Sequence, residues 1–448
     1  MIKDLSVGKP GQVLWRFTIP MFISVVFQQF YNIADSVIAG KFAGEDALAS
    51  VGASYPITMI FMAIAVGCNV GCCVVISQLF GAKELEKMKT AIYTTLISSA
   101  AVSVICTVSG LLLTTSLMKM IRTPENIFAD GSLYLKIYIA GFIFLFLYNI
   151  CTGIFQSLGD SKTPLYFLIG SSLGNIALDL LFVAGFGWGV AGVAWATFIA
   201  QGAACVLSFV SLTSRIRSLK TAYKPDRFSW SMLLKVGRYA VPSILQQSFV
   251  SVGNIFVQGI INNFGSSVIA GYSAAIKLNT FTITSVATFS NGLSSFTAQN
   301  IGAGKTERVR EGYKAGMIMV LCVVVPFILI YFFFGDVMMK LFMDNESRLA
   351  LDTGLKFLKI VSPFYIAVTF KIMADGVLRG AGAMSSFMIA TFTDLLLRVV
   401  LSFILSDYFG VTGVWMSWPI GWVISMCLSL GFYFRGNWAG KLTVCDNE

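Results

Sequence analysis

Apolar residues run in long blocks along this chain, separated by short polar stretches. Twelve blocks have approximate cores at 14–37, 49–77, 91–117, 134–157, 164–186, 188–213, 239–262, 267–297, 313–335, 354–378, 385–406 and 410–434. Each can cross a hydrocarbon core of ~30 Å as a helix. Inside a bilayer the backbone must satisfy its own hydrogen bonds, so the pattern predicts twelve transmembrane helices. The first block is too long, and too polar on one face, for a cleavable signal peptide.

The blocks repeat. Pro20, Asn32 and Gln78-Leu-Phe-Gly81-Ala82 return as Pro242, Asn254 and Gln299-Asn-Ile-Gly302-Ala303. Gly153 and Gly159 return as Gly376 and Gly382, and Gly189-Val-Ala-Gly-Val as Gly410-Val-Thr-Gly-Val. Blocks 1–6 and 7–12 are therefore two copies of one unit. An even number of spans gives both copies the same topology, related by an axis along the membrane normal with a cavity between them. The expected fold is an all-α integral membrane protein with 12 transmembrane helices in two six-helix repeats around a central cavity. Its parts are an N-lobe at 1–213, a cytoplasmic linker at 214–235, a C-lobe at 236–434 and a cytoplasmic tail at 435–448. The linker holds Pro225, and Trp230 is placed to anchor at the membrane interface.

Composition agrees. Of 448 residues, 56% are hydrophobic and 12% charged, against roughly a quarter charged in soluble proteins. The net charge of +10 could suggest a nucleic-acid partner, but the basic residues cluster in short loops and no such motif occurs. Twenty-one of the 32 Lys and Arg fall on the side of the N-terminus, the even-to-odd loops and the tail. By the positive-inside rule both termini are cytoplasmic. The nine cysteines have no metal-site spacing. With no histidine, the commonest general base and proton shuttle is missing, so any proton chemistry must use carboxylates. No Gly-rich phosphate loop or HExxH occurs, and the one GxSxG match, Gly170-Ser-Ser-Leu-Gly174, falls inside an apolar block rather than at the strand-to-helix turn an elbow needs, which argues against nucleotide binding and intramembrane catalysis. A monomer is expected, whose partners are the lipid bilayer and small amphipathic molecules, with no cofactor beyond a coupling ion.

The candidate chemistry lies where charge interrupts the apolar blocks. Gln28, Asn32 and Asp35 form a polar stripe at helical spacing in block 1. In block 5, Asn175 and Asp179 share a face, extended one turn by Ser171, and Thr197 follows in block 6. Apart from Arg16 and Lys136, near the starts of blocks 1 and 4, no Lys or Arg lies in blocks 1–6 to neutralise the acids. Intramembrane acids are costly and are functional by default. Carboxylate, amide and hydroxyl oxygens are hard ligands suited to Na⁺, and the carboxylates alone suffice for H⁺. Pro20, fifteen residues before Asp35, is a candidate bend coupled to that site.

The second copy differs. Val257 stands where the first copy has Asp35. Gln247 and Asn254 share a face of block 7, and Lys277 sits in a block 8 rich in Asn, Ser and Thr. Lys371 and Asp375, and Asp394 and Arg398, are each four apart, a spacing for intrahelical ion pairs that leaves structural and functional roles equally open. Candidates for an adaptable substrate cavity are Gln28, Tyr31, Asn32, Met62, Phe155, Gln247, Asn254, Tyr272 and Lys277.

Taken together, the two parallel repeats, Pro20, Tyr31-Asn-Ile-Ala-Asp35-Ser, Asn175-x-x-x-Asp179, Thr197, the paired Gln-x-x-Gly loops and Gln156-x-x-Gly159-Asp160 resemble the prokaryotic multidrug and toxic compound extrusion (MATE) transporters over nearly the whole chain. The pattern is most similar to the branch of DNA-damage-inducible exporters. The resemblance implies efflux of cationic amphipathic drugs from a bacterium across its cytoplasmic membrane, driven by inward H⁺ or Na⁺ through alternating access of two lobes in a V. It also implies a cation site, for H⁺ or Na⁺, at Asp35, Asn175, Asp179 and Thr197. The rival reading is a flippase or exporter of lipid-linked saccharides from the same superfamily, whose members usually have fourteen spans and more basic cavities.

Overall fold

In the computed structural model, residues 2–43, 45–121, 123–340 and 348–439 are described, with the side chains of 45–48 left aside. Arg122, Lys441, Cys445 and the end of the expected tail lie outside them. Every regular element among the described residues is helical.

In the first half, α1 (Pro10–Ile38) runs into a π-helical turn at Ala39–Ala43. α2 (Glu45–Gly81) and α3 (Leu85–Met120) follow. α4 (Glu125–Ala140) and α5 (Phe142–Ser157) meet at Gly141 with a 45° bend. α6 (Lys162–Asp179) also ends in a π-helical turn, Leu180–Gly185, before α7 (Gly189–Ser218). In the second half come α8 (Trp230–Asn262), α9 (Ser266–Gly302), α10 (Thr306–Phe333) and the short α11 (Gly335–Lys340). α12 (Arg348–Val361) and α13 (Tyr365–Gly380) are joined by a 3-10 turn at Ser362–Phe364, where Pro363 withholds a backbone donor. α14 (Met384–Phe409) and α15 (Val411–Arg435) complete the chain.

Ten helical stretches are long and apolar enough to cross a membrane, and the bent α4–α5 pair makes eleven. The twelfth expected span, block 8, is α9. At 37 residues it has the length, but Lys277, Asn279, Thr280, Thr282 and Thr284 dilute its apolar character. Asn279, Thr282 and Ser285 are buried there, so these three face protein rather than lipid.

Contacts divide the chain into two units. The first comprises residues 1–4 and 19–247, and the second residues 5–18 and 248–448. Residues 5–18 belong with the second unit for a physical reason. The Leu5 amide donates to Gln299 Oε1 at 2.7 Å, and Asn300 Nδ2 and Arg308 reach the Leu5 and Gly8 carbonyls, so the start of the chain is held by the second unit.

Each unit repeats the other's joints. Gly159 (φ +72°) and Gly382 (φ +83°) take the left-handed conformation after α5 and α13, where glycine meets no Cβ penalty. The following amides bond back alike, Asp160 to Phe155 O at 2.9 Å and Ala383 to Leu378 O at 2.8 Å. Close helix crossings recur too. A Cβ on Gly153 would lie 2.4 Å from Asn69 Oδ1, and one on Gly376 would lie 2.5 Å from Ser290 Oγ. Asn69 Nδ2 donates to Asn149 O at 2.8 Å, and Ser290 Oγ to Ile372 O at 2.6 Å. Such small-residue crossings let membrane helices pack without a hydrophobic driving force.

Candidate functional site

The first unit gathers its polar residues from α1, α6 and α7. Asp179 is the last residue of α6 and is fully buried, as is Asn175 one turn earlier. Asp35, half-buried, comes three residues before the end of α1. The Asp35 and Asp179 carboxyls lie within hydrogen-bonding range of one another. As carboxylates both are acceptors, so the bond between them closes only when one carries a proton. Without it, Asp35 Oδ1 and both Asp179 oxygens have no donor, and neither has Asn175 Oδ1. The Asn175 amide is turned by Thr197, whose Oγ1 lies 3.5 Å from Asn175 Nδ2. Four orphaned oxygens in one buried group form a site that wants a cation.

The backbone beside both acids is unusual. π-Helical turns begin at Ala39, after Asp35, and at Leu180, immediately after Asp179. The two turns pack on each other through a small core of Ile38, Ala39, Val183 and Val193, with Tyr134 and Ile176 against it. Such turns are rare and concentrate at functional sites. No sequence signal marked them. Pro20, the expected bend, sits inside α1, which stays a single helix from Pro10 to Ile38.

Of the expected residues, the structure brings together Asp35, Asn175, Asp179, Thr197 and Tyr31, the last within reach of both acids and of Thr197. It adds Tyr134, close to both acids and Tyr31, and Tyr138, stacked on Tyr134 at 6.3 Å. These tyrosines, with Gln201, line a cleft of about 10 Å³ beside Thr197, room for one water. Their four-residue spacing on a membrane helix was a readable but unused signal.

The remaining candidates lie elsewhere. Gln28 and Asn32 are exposed on α1, and Met62 is half-buried on α2. Phe155 belongs to a separate cluster at the end of α5. It is buried beneath the Arg215 guanidinium at 5.6 Å, and Arg215 also pairs with Asp160 and donates to Thr163. Gln247 is half-buried at the end of the first unit on α8, which continues to the exposed Asn254 of the second unit, where Lys277 is exposed on α9. Tyr272 is buried against Trp415. Lys371 and Asp375 form the expected ion pair at 3.0 Å. Asp394 and Arg398 do not: Arg398 instead lies over the Trp418 ring at 4.5 Å, where a flat guanidinium can stack.

Among the described residues no cluster of three or more His, Cys, Asp or Glu could hold a metal ion. The first unit's two carboxylates with an amide and a hydroxyl suit H⁺ or Na⁺ rather than a transition metal.

Comparison with known proteins agrees with the repeat. The probable multidrug resistance protein YoeA of Bacillus subtilis is 27% identical over 440 residues, 95% of this chain and 94% of the relative. YpnP of the same organism, also a probable multidrug resistance protein, is 25% identical over 97% of both chains. A MOP superfamily transporter from Pyrococcus furiosus superposes with a TM-score of 0.91 at 23% identity, over 98% of each chain, a likeness of fold. The MatE family profile matches residues 20–181 and 242–404, so its two blocks begin at Pro20 and Pro242, the equivalent prolines of the two repeats. Since these blocks take in most of both repeats, the chain belongs to the MatE family.

Proposed function

We propose that this chain is a secondary transporter that expels cationic, amphipathic drugs or other toxic compounds from a bacterium by alternating access, in exchange for H⁺ or Na⁺. It works as a multi-pass protein of the cytoplasmic membrane with both termini inside. The observation that carries this reading is the orphaned acceptor set of Asp35, Asn175 and Asp179. A buried acceptor without a donor is costly, and either a cationic substrate or the coupling ion removes the cost, but not both at once. H⁺ or Na⁺ at the pair cancels the charge that attracts a cationic substrate, and coupling is that difference in affinity between two states. Tyr31 and Tyr134 add aromatic faces beside the acids, which attract organic cations. The curated relatives named as multidrug resistance proteins support the substrate class. An anionic lipid-linked saccharide would meet the two acids Asp35 and Asp179 here, which weighs against the flippase reading.

The test is ethidium efflux from proteoliposomes under separately imposed pH and Na⁺ gradients. One gradient drives efflux in the unmodified protein and fails to do so in Asp35→Asn and Asp179→Asn. Undiminished gradient-driven efflux by both variants overturns the reading.

A further inference from the structure

The second unit holds a polar group that cation coupling does not use. Lys371 is taken by Asp375, and Ser429 Oγ donates to Asp375 Oδ1 at 2.7 Å. Asp394 and Arg398, one turn apart on α14, have the spacing to pair and remain apart. Arg398 Nε, Trp415 Nε1, Trp418 Nε1 and Asp394 Oδ1 are all buried without a hydrogen-bond partner. The four residues are no more than 7% exposed. Three of these atoms are donors and one is an acceptor, the reverse of the first unit's acceptor-only set.

Aromatic faces surround the donors. Tyr272 stacks on Trp415 at 5.2 Å with an 8° interplanar angle. Phe357 meets Trp415 and Trp418 edge-on at 5.1 and 5.8 Å. Glycines border both charged ends. A Cβ on Gly421 would come within 2.9 Å of Asp394 Oδ1, and one on Gly253 would lie 3.9 Å from Arg398 Nη2. Larger residues there would crowd these approaches.

Buried N–H groups left unpaired call for an acceptor, and indole planes beside a fixed cation favour a flat ring carrying negative charge. We propose that Arg398, Trp415, Trp418 and Asp394 form a second ligand site, within the C-terminal unit, that takes planar aromatic compounds through a carboxylate or phosphate. Arg398 and the two indoles meet the anionic group, and Asp394 accepts from an N–H or O–H on the same ligand. The site extends the transporter's reach from organic cations to aromatic anions and zwitterions.

Flavin mononucleotide and riboflavin serve as the probes, since they differ only in the phosphate. Their binding to the purified full-length protein is read by quenching of flavin fluorescence, with ethidium binding as the check on folding. The mononucleotide binds at least tenfold tighter than riboflavin. Arg398→Gln removes that advantage, and Trp418→Phe, which keeps the ring and deletes the N–H, reduces it severalfold. Asp35→Asn leaves flavin binding unchanged, which separates this site from the coupling pair. Should Arg398→Gln lose ethidium binding, Arg398→Lys takes its place: it keeps the charge, loses the fork, and lowers the advantage without abolishing it. Equal binding of the two flavins, or an advantage that survives in the folded Arg398 variant and in Trp418→Phe, overturns the proposal.

Discussion

Asp179 lies opposite Asp35 with both of its carboxyl oxygens unpartnered. Two acids from helices far apart in sequence meet at the ends of α1 and α6, each followed by a π-helical turn. A proton or a small cation satisfies this pair better than any side chain nearby, and its neutralisation has a measurable signature in stability as well as in transport.

Asp179→Asn is expected to raise the thermal unfolding midpoint at pH 8 while abolishing gradient-driven efflux. Removing a buried, unpaired charge relieves a penalty of about 1–3 kcal/mol, whereas the lost charge cannot be replaced in coupling. The comparison is midpoint against efflux for the same preparation. A variant that is less stable and still coupled would contradict the arrangement.

Thr197→Val deletes the hydroxyl that orients Asn175 without touching either acid. Efflux under the driving gradient is expected to fall about 3- to 10-fold, of the order of one hydrogen bond's net worth. Initial efflux rates at several gradient strengths measure it, and the variant needs a steeper gradient to reach the same rate.

Gly71→Ala tests the helix packing of the first unit. A Cβ there would stand 2.5 Å from the Ala240 backbone nitrogen, and backbone cannot step aside as a side chain can. A loss of about 1–3 kcal/mol is expected, seen as a lowered unfolding midpoint and poorer expression. Gly170→Ala, whose added Cβ meets nothing within 4 Å, is the control and is expected to be neutral.

The Lys371–Asp375 pair separates packing from charge. Lys371→Met alone leaves a buried carboxylate without its cation and is expected to destabilise by about 3–5 kcal/mol. Combining it with Asp375→Leu is expected to recover most of that loss. Unfolding midpoints of the two single variants and the double variant complete the cycle.

At the membrane edge, Asp160 gives a pH dependence with a definite sign. Burial raises its pKa, but hydrogen bonds and positive charge, among them the Thr163 amide and hydroxyl and the Arg215 guanidinium, outweigh burial and hold the carboxyl below its ordinary value. A lowered folded-state pKa contributes stability that is fully present above the unfolded value of about 3.9 and is lost as pH falls through the folded one. Asp160→Asn is therefore expected to be less stable than the unmodified protein at pH 7, with the gap closing below about pH 4. Thermal unfolding across that range measures it.

Much of this was legible in the chain. Block lengths gave the spans, and the recurrence of Pro20 at Pro242 and of Gly159 at Gly382 gave the repeat, because membrane helices are marked by composition and tight joints by glycine. Asp35, Asn175, Asp179 and Thr197 stood out because acids and amides are rare in apolar blocks. What stayed hidden depends on three-dimensional packing. Tyr134 and Tyr138 look like ordinary interface tyrosines until the fold brings Tyr134 beside Asp35 and Asp179. The π-helical turns need only one extra residue per turn and leave the apolar pattern unchanged. Asp394 and Arg398 have ideal ion-pair spacing, yet the Trp418 ring competes successfully for the guanidinium. Phe155 and Tyr272 show the opposite failure: a large aromatic residue reads the same in a core as in a cavity.

The central claim is that the substrate and the coupling ion compete for the Asp35–Asp179 pair. Ethidium affinity of the purified protein, measured across pH 5–9 with and without Na⁺, addresses it directly. In the unmodified protein the affinity is expected to fall as pH drops or as Na⁺ is added, and in the Asp35→Asn, Asp179→Asn double variant it is expected to be low and flat. A double variant that keeps the same dependence on pH or Na⁺ would contradict the account.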